Sequence, residues 1–194
     1  MGRSTPVSTM AVNAPEVIET ARLVLRRPQR RDAEIIFGRY ANDPEVTRYL
    51  AWPRHHNLRD TLQFLEFSDN EWERSPGGPY LIQLRGSGQL IGSTGIEFET
   101  EYRASTGYVL ARDSWGCGYA SEALLGIVGV CAKLRLARLH AMVHVEHAAS
   151  RRVLEKCGFV LEGTLCRHTL FPNIDEHRPY DVASYSRVFD RQRF

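Results

Sequence analysis

The sequence predicts a single α/β domain built on a mixed sheet of about seven strands, with helices on its faces. Three observations predict it. The length of 194 residues suits one hydrophobic core and is short for two. Residues 80–84 and 90–98 are apolar runs separated by Gly86, Ser87 and Gly88, the pattern of an antiparallel hairpin. From residue 105 onward, strand-like and helix-like segments alternate, as strand–helix–strand units require.

In chain order, residues 20–27 alternate Leu23 and Leu25 with more polar neighbours and predict a first strand. Asp32 is placed to cap a helix carrying Ile35, Ile36 and Tyr40 on one side. Asp43-Pro44 starts a short helix with proline at its first position. After a loop through Trp52, His55 and His56, Asn57 caps a longer helix bearing Leu58, Leu62, Leu65 and Trp72. The Ser75-Pro76-Gly77-Gly78-Pro79 run stops that helix. The hairpin follows, and a polar link leads into a strand over 105–111. Helix 119–134 carries Leu124, Ile127, Val128, Cys131 and Leu134 at helical spacing. Residues 139–145 read as a strand, 147–157 as a helix stopped by Gly158, and 159–168 and 180–189 as a closing strand pair. There is no internal repeat and no interdomain linker. Residues 1–18 read as a flexible N-terminal tail and 19–194 as the domain.

Composition excludes several classes. Hydrophobic residues make up 43% and charged residues 25% of the chain, as in a soluble globular protein. No apolar run approaches the ~20 residues that span a bilayer. The first fourteen residues lack a signal-peptide core, so a cytoplasmic protein with no membrane partner is expected. A net charge of +2 implies no nucleic-acid partner. Cys117, Cys131, Cys157 and Cys166 form no CxxC and no zinc-ligand cluster, so free thiols and no metal are expected.

The most informative stretch is Trp115-Gly116-Cys117-Gly118-Tyr119-Ala120-Ser121. It joins an apolar strand to a helix start through two alternate glycines. The first N–H groups of a helix lack internal partners, and the dipole puts positive charge there. Glycines let a phosphate approach the backbone. Three readings compete: a tight turn, a dinucleotide site with Ser121 in place of the third glycine, and a cradle for the pyrophosphate of coenzyme A. Cys117, at the helix start, is either a nucleophile or a tolerated residue between glycines.

The run from Trp115 to Ala123 resembles the acetyl-CoA-binding signature of the GNAT N-acetyltransferase superfamily. It is most similar to the RimJ/RimL ribosomal-protein branch, whose first signature position is often Trp, as Trp115 is. Other family features follow in order: the opening strand Glu19-Thr20-Ala21-Arg22-Leu23-Val24-Leu25-Arg26, Asp43-Pro44-Glu45-Val46 with Tyr49-Leu50, Leu90-Ile91-Gly92, Ser150 through Phe159, and Tyr180-Asp181-Val182. The resemblance implies a single-domain GNAT fold with an antiparallel N-terminal part, flanking helices, and splayed parallel strands (105–111 and 139–145) at the acetyl-CoA site. It implies acetyl-CoA as co-substrate. The acceptor would be a primary amine, of a protein N-terminus or a small molecule, attacking directly in a ternary complex. The protein would be a monomer or homodimer.

Trp115, Gly116, Cys117, Gly118, Tyr119, Ala120 and Ser121 would then hold the pyrophosphate, and the backbone edge of Val109, Leu110 and Ala111 the pantetheine arm. Arg112, Arg152 and Lys156 are phosphate candidates or solvated charges. Catalysis needs a base for the ammonium and an acid for the thiolate. Where the family often has a basic Glu this chain has Ser105, so Glu97 or Glu99, acting through a water, is the substitute. The family's acidic Tyr is replaced by Leu154, and Ser150 matches the residue this branch places near the sulfur. His147 stands where an Asn usually contacts the cofactor. Because the usual Glu, Asn and Tyr are missing, an acyl-CoA-binding sensor stays open as an alternative. His140, Met142 and His144 share a strand face without a third metal ligand. Trp52, His55 and His56 are acceptor-contact candidates or parts of a mobile loop.

Overall fold

The computed structural model describes residues 13–75 and 77–189. Its strands are β1 (Val17–Glu19), β2 (Leu23–Arg26), β3 (Pro79–Leu84), β4 (Leu90–Phe98), β5 (Arg103–Leu110), β6 (Arg138–His144), β7 (Val160–Phe171) and β8 (Asp175–Val188). Its helices are α1 (Ala33–Ile36), α2 (Pro44–Thr47), α3 (Leu58–Arg74), α4 (Tyr119–Lys133) and α5 (Ala148–Lys156). The strands form one sheet in the order β1-β2-β3-β4-β5-β6-β8-β7. Every neighbouring pair is antiparallel except β5–β6. This mixed sheet lacks the parallel core of a dinucleotide-binding half.

Two helical layers cover the two faces, and strand alternation sorts the side chains between them. Leu81 and Leu90 pack with Ile36, Tyr40 and Leu65 from the α1–α3 side. Their neighbours Tyr80, Ile82 and Ile91 pack with Leu124, Ile127 and Cys131 of α4 and Leu154 of α5. Asp43 accepts hydrogen bonds from the Glu45 and Val46 amides, with Pro44 opening α2. Asn57 caps α3 in a capping box with Asp60. Gly158, at φ +78°, ends α5. Among the expected helix stop before β3, Pro76 lies outside the described residues.

Four expectations change. The sheet has eight strands, and the additional one lies in the stretch read as a tail. Val17, Ile18 and Glu19 pair with Arg26, Leu25 and Val24, and Ala14 and Ile18 are buried. A three-residue strand is too short to show alternation in the sequence. Asp32 does not cap α1. Its carboxylate accepts from the Gln29 amide at 2.7 Å and receives both Arg26 guanidinium nitrogens at 2.8 and 2.7 Å. Ile35 is exposed while Ile36 and Tyr40 are buried. A 3-10 turn (Arg30–Asp32) before α1 and a π turn (Phe37–Ala41) after it break the 3.6-residue period. The closing hairpin is longer than expected, with Pro172-Asn173 at its turn.

The feature that matters for function is the short β5–β6 ladder. It pairs only Arg103 with Arg138, Ala104 with Leu139 and Ser105 with His140. Beyond that point β5 stays with β4 as far as Leu110, and β6 stays with β8 as far as His144. The two parallel strands part, and a gap opens between their C-terminal ends. Gly92 sits where β4 meets the end of β5. A Cβ there would lie 2.1 Å from the Val109 carbonyl oxygen and 2.8 Å from the Leu110 side chain. Gly92→Ala is therefore expected to cost about 1–3 kcal/mol, a fall of roughly 2–12 °C in Tm for a domain of this size. Thermal unfolding of the variant checks it.

Candidate functional site

At the C-terminal end of β5 the chain makes a 3-10 turn (Arg112–Ser114), then a loop into α4. Gly116 and Gly118 have φ of +74° and +80°, a left-handed backbone open to glycine. The loop leads into the positive end of a 15-residue helix. The amides of Tyr119, Ala120 and Ser121, in the first turn, have no intrahelical acceptor. The loop is braced from outside. The Trp115 indole donates to the Leu110 carbonyl at 2.8 Å. Glu122 accepts from the Thr20 hydroxyl at 2.6 Å and the Arg22 amide at 2.7 Å, and Arg22 donates onward to the Cys117 carbonyl at 3.1 Å. Burial opposes ionisation of Glu122, yet the Thr20 and Arg22 bonds hold its pKa below the usual carboxylate range.

Two cavities meet in the gap between β5 and β6. One, of about 610 Å³, runs along the glycine loop and α5, past Gly116, Gly118, Tyr119, Ala120 and Ser121, with Arg48, Arg152 and Lys156 on its walls. The other, of about 520 Å³, is walled by Trp52, Phe64, Phe67 and Phe171, with Glu97 and Ser105 on its sheet side. Both are lined by Tyr49, Leu50, Tyr108, Val109, His147 and Ser150. Those residues mark the passage between them.

The passage holds the groups with chemistry to offer. The Ser150 hydroxyl lies 2.9 Å from the Tyr108 hydroxyl, which also reaches the Ser150 carbonyl at 3.0 Å. Burial raises the Tyr108 pKa, so the phenol stays protonated. The His147 ring stacks on Tyr49 with centroids 4.8 Å apart. Burial first, and then the neighbouring His144, lower its pKa, which favours the neutral ring. Glu97 faces Ser105 directly across the β4–β5 ladder, and Ser105 Oγ donates to Glu97 Oε2 at 3.1 Å. A carboxylate on the adjacent strand is thus hydrogen-bonded to the side chain at position 105.

Other candidates are placed elsewhere. Glu99 receives His140 at 2.7 Å and Arg103 at 2.6 Å. Burial opposes it, but these partners keep its pKa below the usual range. Arg112 is ion-paired to Asp43 at 3.0 Å and Glu45 at 2.9 Å, and so braces α2. Cys117 is exposed and does not line the groove. Ala111 donates its N–H to the Ile91 carbonyl at 2.8 Å. Strand alternation then turns the backbone of Val109 toward β4 and that of Tyr108 and Leu110 toward the gap. Among 109–111, Leu110 is the residue whose N–H faces the gap.

His140, Met142 and His144 have separate surroundings: the Glu99 pair, solvent, and a cage of Tyr49, Phe171 and Tyr180 rings. Among the described residues no group of three His, Cys, Asp or Glu side chains is placed to hold a metal ion. The 52–56 loop is tied down. His55 bonds the Thr61 hydroxyl at 2.9 Å, and the His56 amide donates to Asp60 at 2.8 Å. Trp52 lines the second cavity, while His55 and His56 do not.

Sequence reasoning missed Tyr108 and Asn173. Tyr108 read as one more apolar strand residue. Its role needs Ser150, 42 residues away, and the only local sign was its place just before the glycine loop. The Asn173 amide donates to the Thr47 and Trp52 carbonyls at 2.8 and 2.9 Å and accepts from the Arg54 amide at 2.7 Å. In sequence it was a turn residue.

A glycine loop at a helix N-terminus thus opens onto a gap between parted strands where two cavities meet. The chain matches the acetyltransferase (GNAT) domain family over residues 22–160. It is 33% identical over 179 residues to the uncharacterized N-acetyltransferase YoaA of Bacillus subtilis, covering 91% of this chain and 98% of that one. The fold superposes on RimL, a ribosomal L7/L12 alpha-N-protein acetyltransferase solved with coenzyme A, with a TM-score of 0.79 at 20% identity over 90% of this chain and 99% of that one. It also superposes on a spermidine N-acetyltransferase from Vibrio cholerae in complex with CoA and spermine, with a TM-score of 0.72 at 21% identity, over 87% and 96% of the two chains. The protein belongs to the GNAT family and is an N-acetyltransferase. No helix among the described residues is long and apolar enough to cross a membrane.

Burial is the main cause that lowers the pKa of His55, His144 and His147. On acidification the unfolded chain takes up protons at these positions first. Their effect on stability is nil well above about pH 6.5 and grows unfavourable as pH falls from there toward the depressed folded values. His147→Asn is expected to lose less Tm than the parent protein between about pH 7.5 and about pH 5.5, as parallel thermal melts will show.

Proposed function

We propose that the protein transfers the acetyl group of acetyl-CoA to a primary amine by direct attack, with the thioester held in the passage between the two cavities. The observation that carries this reading is the pairing of the Ser150 and Tyr108 hydroxyls at the point where both cavities are lined by the same residues. The amides of Gly116, Gly118, Tyr119, Ala120 and Ser121 hold the pyrophosphate. Arg152 and Lys156 face the outer phosphates. The pantetheine amides pair with the gap-facing edge of β5 at Tyr108 and Leu110. The Leu110 N–H points at the acetyl carbonyl and stabilises the oxyanion that forms there.

The amine enters from the Glu97 side, and Glu97 removes the ammonium proton through a water. The nitrogen attacks the acetyl carbon, the C–N bond forms, the nitrogen releases its second proton to solvent and the C–S bond breaks. The Ser150 hydroxyl gives its proton to the departing thiolate and is reprotonated from solvent. Tyr108, kept neutral by burial, donates to the Ser150 carbonyl and holds its own oxygen 2.9 Å from Ser150 Oγ, which orients the serine. Aligning two reactants accounts for the larger part of such a rate enhancement. The acceptor is a primary amine of a protein N-terminus or a small molecule. His147, neutral and stacked on Tyr49, lines the cofactor side in the place of the usual Asn.

Thiol release from acetyl-CoA in the presence of an amine panel tests the reading, and absence of release with every amine overturns it. Ser150→Ala is expected to lower kcat by about 10²-fold while CoA affinity stays within about twofold. Glu97→Gln is expected to lower kcat/KM for the amine by about 10²-fold without weakening CoA binding. An equal loss in rate and CoA affinity would take either residue off the catalytic list. Gly118→Val places a branched side chain at φ +80°, at the mouth of the cradle. It is expected to abolish CoA binding by calorimetry while the far-ultraviolet circular dichroism is retained.

A further inference from the structure

The acceptor cavity carries a specific charge pattern. Its lining contains two carboxylates, Glu71 and Glu97, and no lysine or arginine. Glu97 is held by Ser105. Glu71 has no ion-pair partner among the described residues and continues the Phe64–Phe67 stripe of α3 at helical spacing toward the cavity. The remaining walls combine apolar and aromatic side chains, Trp52, Phe64, Phe67 and Phe171 among them, with neutral hydroxyls such as those of Ser93, Thr94 and Thr169.

A second observation bears on size. The Asn173 side chain ties the β7–β8 turn to the loop after α2 through Thr47, Trp52 and Arg54. Strand β7 and that loop therefore cannot separate without breaking three hydrogen bonds. Both line the cavity of about 520 Å³, a volume within the range of small-molecule pockets.

From this pattern we infer that the acceptor is a small amine with an apolar body and no acidic group. The inference rests on the assignment of this cavity as the acceptor side of the reaction. A carboxylate or phosphate on the acceptor would be desolvated against aromatic walls beside Glu97 with no cation to meet it. An ammonium gains from the same surroundings, through the carboxylates and through the faces of Trp52, Phe64 and Phe67. A second positive charge would be met by Glu71.

The test uses the full chain and matched acceptors: 2-phenylethylamine, L-phenylalanine (the same skeleton with a carboxylate), and a pentapeptide with an N-terminal phenylalanine. The expected kcat/KM for 2-phenylethylamine exceeds that for L-phenylalanine by about tenfold or more, because like charges are brought together only in the second case. It also exceeds that for the peptide. A ratio near one, or a preference for the amino acid or the peptide, overturns the inference and leaves acetyl transfer intact. Calorimetric binding of the same three probes to the CoA-saturated protein reads the cavity even where no acetyl is transferred. Tighter binding of 2-phenylethylamine supports the inference although the chemistry has failed, and equal or absent binding overturns it. Glu71→Lys supplies the missing cation and is expected to shrink the amine-to-amino-acid ratio at least about threefold. An unchanged ratio removes Glu71 from the selectivity.

Discussion

The parting of β5 from β6 is the constraint on which the site depends. Each strand keeps a full antiparallel partner on its outer side, β4 for one and β8 for the other. Only three residue pairs hold the two together before they diverge. Backbone groups left unpaired inside a protein are costly unless something meets them. The gap thus presents a row of donors and acceptors to whatever lies between the strands. A flexible chain carrying amides, such as pantetheine, satisfies that row as an added strand does. The same divergence makes room for Tyr108 and Ser150 to approach each other and brings the two cavities into contact.

Charge divides the molecule along the same line. The cavity along the glycine loop has the helix N-terminus with Arg48, Arg152 and Lys156 against one carboxylate, Glu45. In the cavity walled by Trp52 and Phe171 the lining charges are Glu71 and Glu97. The arrangement suits an anionic donor meeting a cationic acceptor, and each is disfavoured in the other's cavity. Several nearby cations are committed to structure. Arg112 is bound to Asp43 and Glu45, and Arg22 to Glu122. These pairs brace the glycine loop and α2 rather than enter the groove.

Rigidity around the cavity that Phe171 lines comes from rings and one amide. Tyr49, His144, His147, Phe171 and Tyr180 form a contiguous aromatic cluster. His144 accepts from the Glu146 amide at 3.2 Å on one ring nitrogen, while the other is buried without a protein partner among the described residues. Asn173 fastens the hairpin turn over this cluster. The shape of this part of the gap is therefore set by packed side chains.

Local patterns settled much of this protein in the sequence. The hairpin over 80–98, the caps at Asp43 and Asn57, the stop at Gly158 and the glycine cradle all depend on neighbours within a few residues. Backbone preferences and hydrophobic spacing act at that range. Ser150 and Glu97 were visible as candidates through a family resemblance. What only the tertiary structure decided involves partners far apart in the chain. Glu99 is paired with His140, Arg112 with Asp43, and the Ala111 N–H with the Ile91 carbonyl. Tyr108 meets Ser150, which arrives beside it from α5. The three-residue strand β1 and the displaced Ile35 also escaped, one too short to show a period and the other beside turns that break it. Cross-strand register and helix placement bring such groups together, and no local pattern in a single chain encodes which side chains a gap between two strands will face.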